Sequence, residues 1–218
     1  MLFDLIQNPQ SFTLINVCLR IAALILVLFL ALPLHEFAHA FAAVQMGDNT
    51  PRWEGRYTLN PLRHIDPIGA VMIFLLGIGY AKPVPVNPLR FKRYRAGLLI
   101  TALAGVTMNF LLSLTSLGIL KIFLLIFPFA TWMTWVYYFL AVFAYINLSL
   151  MVFNLLPIPP LDGYRVLSVF LPDKWRFIIM QYGQFISLGI LVLFMTGFVS
   201  IQGIIDPLFD ALINLFGL

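Results

Sequence analysis

His35, Glu36 and His39 stand close together in the run His35-Glu36-Phe37-Ala38-His39. On an α-helix, positions i and i+4 share a face, so both imidazoles can ligate one metal ion. Glu36 points about 100° away around the helix and can reach a water on the open side of that ion. The chain holds three histidines and two glutamates, so composition alone gives on the order of 10⁻⁴ such runs by chance. Zinc in a catalytic site takes three protein ligands and a water, which leaves one ligand to find.

The elements that must carry these residues are membrane helices. Of 218 residues, 61% are hydrophobic and 10% charged, whereas a soluble domain is about half apolar and a quarter charged. That balance excludes a soluble enzyme, a nucleic-acid-binding module and a disordered chain. The expected fold is an all-α polytopic membrane protein, with residues 1–218 forming one integral membrane domain. Spans are expected at about 12–44, 96–126, 131–156 and 177–200. The apolar stretch 67–80 is short and carries Gly69, Gly77 and Gly79, which suits a re-entrant segment. The tail 204–218, with Asp206 and Asp210, reads as an interfacial or short membrane segment. No internal repeat is expected. No Lys or Arg precedes Arg20, so the first apolar segment is expected to remain in the mature protein. Cys18 is the one cysteine, so no intrachain disulfide can form.

The net charge is +4, but the basic residues cluster in the segments 47–66, 82–95 and 163–176, as positive-inside topology places them. All three are cytoplasmic only if 67–80 does not cross. The N-terminus is then outside. The helices 12–44 and 131–156 both run inward, and their C-terminal ends share the cytoplasmic level. Their chemistry lies at those ends. After the second helix comes Asn154-Leu155-Leu156-Pro157-Ile158-Pro159-Pro160-Leu161-Asp162-Gly163. The prolines end a helix and hold extended backbone, which survives at membrane depth only where it lines a cavity or packs on protein. Asp162 is the best placed third ligand; its alternative is an N-cap on a short helix over 163–170. A lone His in an apolar helix is usually satisfied by neighbours, but three ionisable groups on one turn are costly unless paired or functional.

Two further features bear on a substrate. In Pro83-Val84-Pro85-Val86, alternating prolines strip N–H groups from one edge of an extended strand, while Val84 and Val86 keep theirs. Such a strand can pair with an unwound substrate by β-augmentation, or it is a rigid interfacial loop. His64 reads as an interfacial or supporting hydrogen-bonding residue, Trp53 and Trp175 as interfacial anchors, and Lys121 as a snorkelling cation.

The His35–His39 run and the later Asn-x-x-Pro-x-Pro-x-x-Asp-Gly run resemble the site-2 proteases, intramembrane zinc metalloproteases. Three other stretches look like compact members of that family: Leu59-Asn60-Pro61-Leu62-Arg63-His64-Ile65-Asp66-Pro67-Ile68-Gly69, Gly79-Tyr80-Ala81-Lys82-Pro83-Val84-Pro85-Val86-Asn87-Pro88, and Ala104-Gly105-Val106-Thr107-Met108-Asn109. Val106 departs from the family, which often has proline there. The resemblance covers roughly residues 21–170, without an inserted PDZ or nucleotide-sensing domain. It implies that His35, His39 and Asp162 bind one Zn2+ and that Glu36 is the general base. It also implies that Asn109 and Asn154 line the site, one of them holding the oxyanion. The implied activity is cleavage of transmembrane helical proteins or peptides near the cytoplasmic face, either membrane-tethered regulators or leftover signal peptides. The expected setting is a prokaryotic cell membrane, with membrane lipids and transmembrane substrates as partners and no nucleic acid. The competing readings are a transporter, using His and Asp in an ion path, and a metal-binding scaffold that grips helices without cutting them.

Overall fold

The computed structural model describes residues 14–76, 81–195 and 200–218. Among them are helices α1 (Leu14–Gln45), α2 (Pro67–Leu76), α3 (Tyr94–Ile126), α4 (Met133–Asn154), α5 (Asp162–Ser168), α6 (Asp173–Met195) and α7 (Gln202–Phe216). No strand occurs among the described residues, and the protein is an all-α polytopic membrane protein. Helices α1, α3 and α4 are long and apolar enough to cross a membrane. At 1.5 Å per residue, the 22 residues of α4 reach about 33 Å, close to the hydrocarbon thickness. The 32 residues of α1 and 33 of α3 reach about 48–50 Å and project beyond it.

Helix α3 is the backboard of the bundle, packed along both α1 and α4. Its buried face carries small residues, Gly97, Ala102, Gly105, Ser113 and Ser116 among them, which let neighbouring backbones approach closely in a membrane. Ser116 Oγ donates to the Leu140 carbonyl at 2.8 Å and fixes the antiparallel register of α3 on α4. One apolar core joins Ala23, Leu24, Val27, Leu28, Ala31 and Leu32 of α1 to Phe143 of α4. Buried positions on α1 recur every four residues, at Ala23, Val27, Ala31, His35 and His39. A regular 3.6-residue helix drifts about 40° per such step. The stretch Val27–Ala31 is a π-helical turn, whose wider winding absorbs part of that drift and keeps the histidines on the packed side.

Between α1 and α3 the chain folds back on itself. Ile65 and Ala81 form an antiparallel bridge, and Lys82 N–H donates to the His64 carbonyl at 2.8 Å. The chain therefore leaves for α2 and returns at one place, although residues 77–80 of the expected re-entrant segment lie outside the described residues. Helix α6 covers most of the expected span 177–200, of which residues 196–199 lie outside the described residues. Helix α7 lies lengthwise on the bundle: Ile205 packs on Leu148 and Val152, and Tyr145 OH donates to Asp206 at 2.7 Å. The Lys121 ammonium donates to the Gly217 carbonyl at 2.8 Å, tying the end of α7 to α3. The Ile65–Ala81 bridge leads to an expected outcome in a cysteine-labelling scan: residues 50–63 and 90–95 react from one side of the membrane. Labelling from opposite sides would mean that 67–80 crosses.

Candidate metal centre

The site is assembled from three helices. His35 and His39 sit one turn apart on α1, ten and six residues before its C-terminal end, or about 9–15 Å along the axis. Asp162 opens α5, and α3 lies behind all three. His39 Nε2 is 3.0 Å from His35 Nε2 and 3.0 Å from Asp162 Oδ2; His35 Nε2 is 3.4 Å from the same oxygen. Ligands about 2.0–2.1 Å from a tetrahedral zinc stand about 3.3–3.4 Å apart, so the three atoms fit one ion. All three residues are buried.

The donor chemistry points the same way. His39 Nδ1 lies 2.7 Å from the Thr101 carbonyl, which can only accept, so Nδ1 carries the proton. Nε2 then offers a lone pair to the centre, the tautomer a metal ligand needs. Asp162 does not cap its helix: the N-cap is Leu161, with no side-chain cap bond, and the carboxylate turns to the imidazoles instead. Arg165, at 3.6 Å from Oδ1, leaves Oδ2 to the imidazoles.

Two glycines make this approach possible. A Cβ on Gly105 would lie 2.3 Å from His39 Nε2 and 2.6 Å from His35 Cε1, so α3 can back the centre only with hydrogen there. A Cβ on Gly163 would lie 2.2 Å from the Leu155 carbonyl oxygen, so the turn that delivers Asp162 also requires glycine.

Glu36 lies beside the ligands on α1, buried, and its Oε2 accepts the Val84 N–H at 2.9 Å. Val84 was expected to offer that N–H to a substrate strand; here it is spent on Glu36. The Val86 N–H has no partner among the described residues. Asn109 is fully buried, one turn beyond Gly105 on α3, and neither side-chain polar atom has a partner. Asn154 is only half-buried, and its amide donates back to the Leu150 carbonyl at 2.9 Å. His64 stands apart from the centre, fully buried, with Nε2 at 2.8 Å from the Thr58 carbonyl.

Two residues that sequence reasoning did not single out support the site. Asp48 is fully buried just past the end of α1. Its Oδ2 accepts the Asn87 N–H at 2.6 Å and its Oδ1 the Thr50 N–H at 2.9 Å, so the end of α1 grips the segment that carries Val84. Asn147 is fully buried, with its amide on the Phe143 carbonyl at 2.9 Å and its Oδ1 unpartnered. The α3–α4 register places it level with Asn109. Its signal was there to read, since Asn147 and Asn154 lie two turns apart on one face of an apolar helix.

The tight backing of the imidazoles sets a test. Gly105→Ala is expected to lower zinc affinity at least tenfold, by analogy with disturbed outer-shell contacts, in a protein that still inserts and folds. Metal content after dialysis against a graded chelator checks it. Zinc retention equal to the parent would contradict the close packing of α3 on the centre.

Comparisons with known proteins agree with this geometry. The description Peptidase family M50 matches residues 123–198, the part that holds α4 and Asp162. The candidate zinc metalloprotease YwhC of Bacillus subtilis is 37% identical over 180 residues, covering 79% of this chain and 80% of that protein. The candidate zinc metalloprotease Rip2 of Mycobacterium tuberculosis is 32% identical over 186 residues, covering 83% of this chain and 70% of that protein. No solved structure matches the chain. With relatives of that name and three buried ligand atoms spaced for one ion, zinc is the cofactor. Likeness over most of both chains makes this protein a member of peptidase family M50, a metalloendopeptidase of the compact site-2 protease type.

Proposed function

We propose that this protein hydrolyses peptide bonds within transmembrane segments, close to the cytoplasmic face of a prokaryotic cell membrane. Its substrates are membrane-tethered regulators or leftover signal peptides. The observation that carries the reading is one layer of chemistry at the inner end of α1. His35, His39 and Asp162 converge within 3.0–3.4 Å, and Glu36 is held beside them by the Val84 N–H. The basic segments flanking that layer, and the paired ends of 65 and 81, support a cytoplasmic placement.

His35, His39 and Asp162 hold the zinc. The bound ion supplies Lewis acidity, acidifying a water and polarising the scissile carbonyl. Glu36 accepts the proton of the attacking water and passes it to the departing amine nitrogen. The Val84 N–H fixes Oε2 and leaves Oε1 for that proton. Asn109, with both polar atoms unpartnered, can donate Nδ2 to the developing oxyanion; Asn154 has one N–H left for the same task. A substrate helix must unwind to expose its amide. The segment 83–86 can support an extended conformation, through the Val86 N–H and the carbonyls on that edge.

General-base removal costs about 10²–10⁴-fold in rate. Glu36→Gln is therefore expected to lose that much cleavage of a transmembrane peptide in detergent or nanodiscs while binding zinc as the parent does. Unchanged turnover would remove Glu36 as the base.

A further inference from the structure

At the scale of helices the chain has no repeat, but one tetrapeptide occurs twice: Asn60-Pro61-Leu62-Arg63 and Asn87-Pro88-Leu89-Arg90. The two copies fold alike. Pro61–Arg63 and Pro88–Arg90 are both 3₁₀ turns. In each, the Asn side chain accepts the Leu N–H at 3.1 Å, and the Arg N–H donates to the Asn carbonyl at 3.1 Å. A buried ring follows each arginine, His64 in one copy and Phe91 in the other. Phe91 is seated where a Cβ on Gly97 would come within 2.5 Å of its ring. Each turn is thus pinned on its inner side, and its leucine is thrust outward: Leu62 is 75% exposed and Leu89 87%.

A pinned turn that presents a bare leucine beside a guanidinium is poorly suited to water. It matches the boundary of a bilayer, where the leucine enters the acyl region and the arginine meets a phosphate. The turns cannot move far from that boundary. Leu62 lies five residues before α2, and Leu89 five before the spanning helix α3, or at most about 18 Å of extended chain. Trp53 is 67% exposed, with the Arg90 guanidinium 4.4 Å from its ring centroid, an aromatic–cation pair of the kind found at headgroup level. The segments 47–66 and 82–95 carry eight basic residues against three acidic ones. Asp48 and Asp66 are occupied by backbone N–H groups. The local field therefore favours acidic headgroups.

We propose that the two Asn-Pro-Leu-Arg turns are twin bilayer anchors that insert Leu62 and Leu89 into an acidic phospholipid leaflet. Arg63 and Arg90 hold its phosphates. The second anchor is wired to the metal centre. Asn87, which caps the turn, also donates its backbone N–H to Asp48 at 2.6 Å. Val84, three residues earlier, holds Glu36. The leaflet thereby sets the depth of the strand over the general base, a consequence that rests on the protease reading, while the anchoring itself does not.

The test uses the full chain with Cys18→Ser, carrying a single spin label at Leu62→Cys, Leu89→Cys or, as a control in the same segment, Glu54→Cys. The nanodiscs hold phosphatidylcholine alone or mixed with phosphatidylglycerol. In the mixed discs, labels at 62 and 89 are expected to be relaxed several-fold more by oxygen than by an aqueous nickel chelate, with the reverse at 54. Adding Arg63→Gln and Arg90→Gln should erase the difference between the two lipid mixtures. Chelate access at 62 and 89 equal to that at 54 would overturn the anchors. Insertion indifferent to both lipid charge and the arginines would overturn the acidic-headgroup assignment. The readout needs no turnover, so it stands apart from the fate of the protease assignment. With a cleavable substrate in the mixed discs, Leu62→Ser with Leu89→Ser should slow cleavage several-fold without changing zinc content; unchanged cleavage would overturn the link from the anchors to Glu36.

Discussion

Two imidazole nitrogens and one carboxylate oxygen, all lone-pair donors, are pressed within 3.0–3.4 Å of one another inside a helical bundle. Each has given up water to be there, which is costly at membrane depth unless something replaces it. Left alone, the three would repel. A divalent cation between them turns that repulsion into attraction, and its binding energy then contributes to holding α1 and α5 together. The rest of the fold is arranged around this one contact.

Helix α3 supplies its back wall. Gly105 lets the wall touch both imidazoles, and Thr101, one turn away, orients His39. The π-helical turn in α1 keeps the ligand face in phase with the apolar stripe that packs on α4. Gly163 lets the chain after α4 double back closely enough to deliver Asp162. On the open side, two carboxylates of α1 and its end, Glu36 and Asp48, hold the segment 84–87 through backbone N–H groups. The Glu36 carboxylate and the segment above it are therefore positioned by each other. This economy suits a hydrolase in lipid, where every unpaired N–H and carbonyl is expensive.

The convergence of His35, His39 and Asp162 was legible because its chemistry is local: i and i+4 on one helix, then an aspartate after a proline-broken run. The three long spans were legible from apolar length alone. Long-range backbone pairing was not. Nothing in Pro83-Val84-Pro85-Val86 says that the Val84 N–H meets a side chain 48 residues earlier, so substrate pairing and a rigid loop stood side by side. Asp48 did not stand out because its partner, Asn87, is distant in sequence. Nor does the sequence show that Lys121 meets the carbonyl of Gly217 at the far end of the chain. Each miss is a tertiary contact between segments whose local patterns are silent about it.

The central claim is that one zinc ion sits between two imidazoles and a carboxylate drawn from separate helices. X-ray absorption at the zinc edge of the purified protein tests it most directly. The account predicts a four-coordinate shell of nitrogen and oxygen at about 2.0–2.1 Å, two histidines in the outer scattering, no sulfur, and loss of this shell in Asp162→Ala. A sulfur-containing shell, a single histidine, or an unchanged spectrum in Asp162→Ala would contradict it.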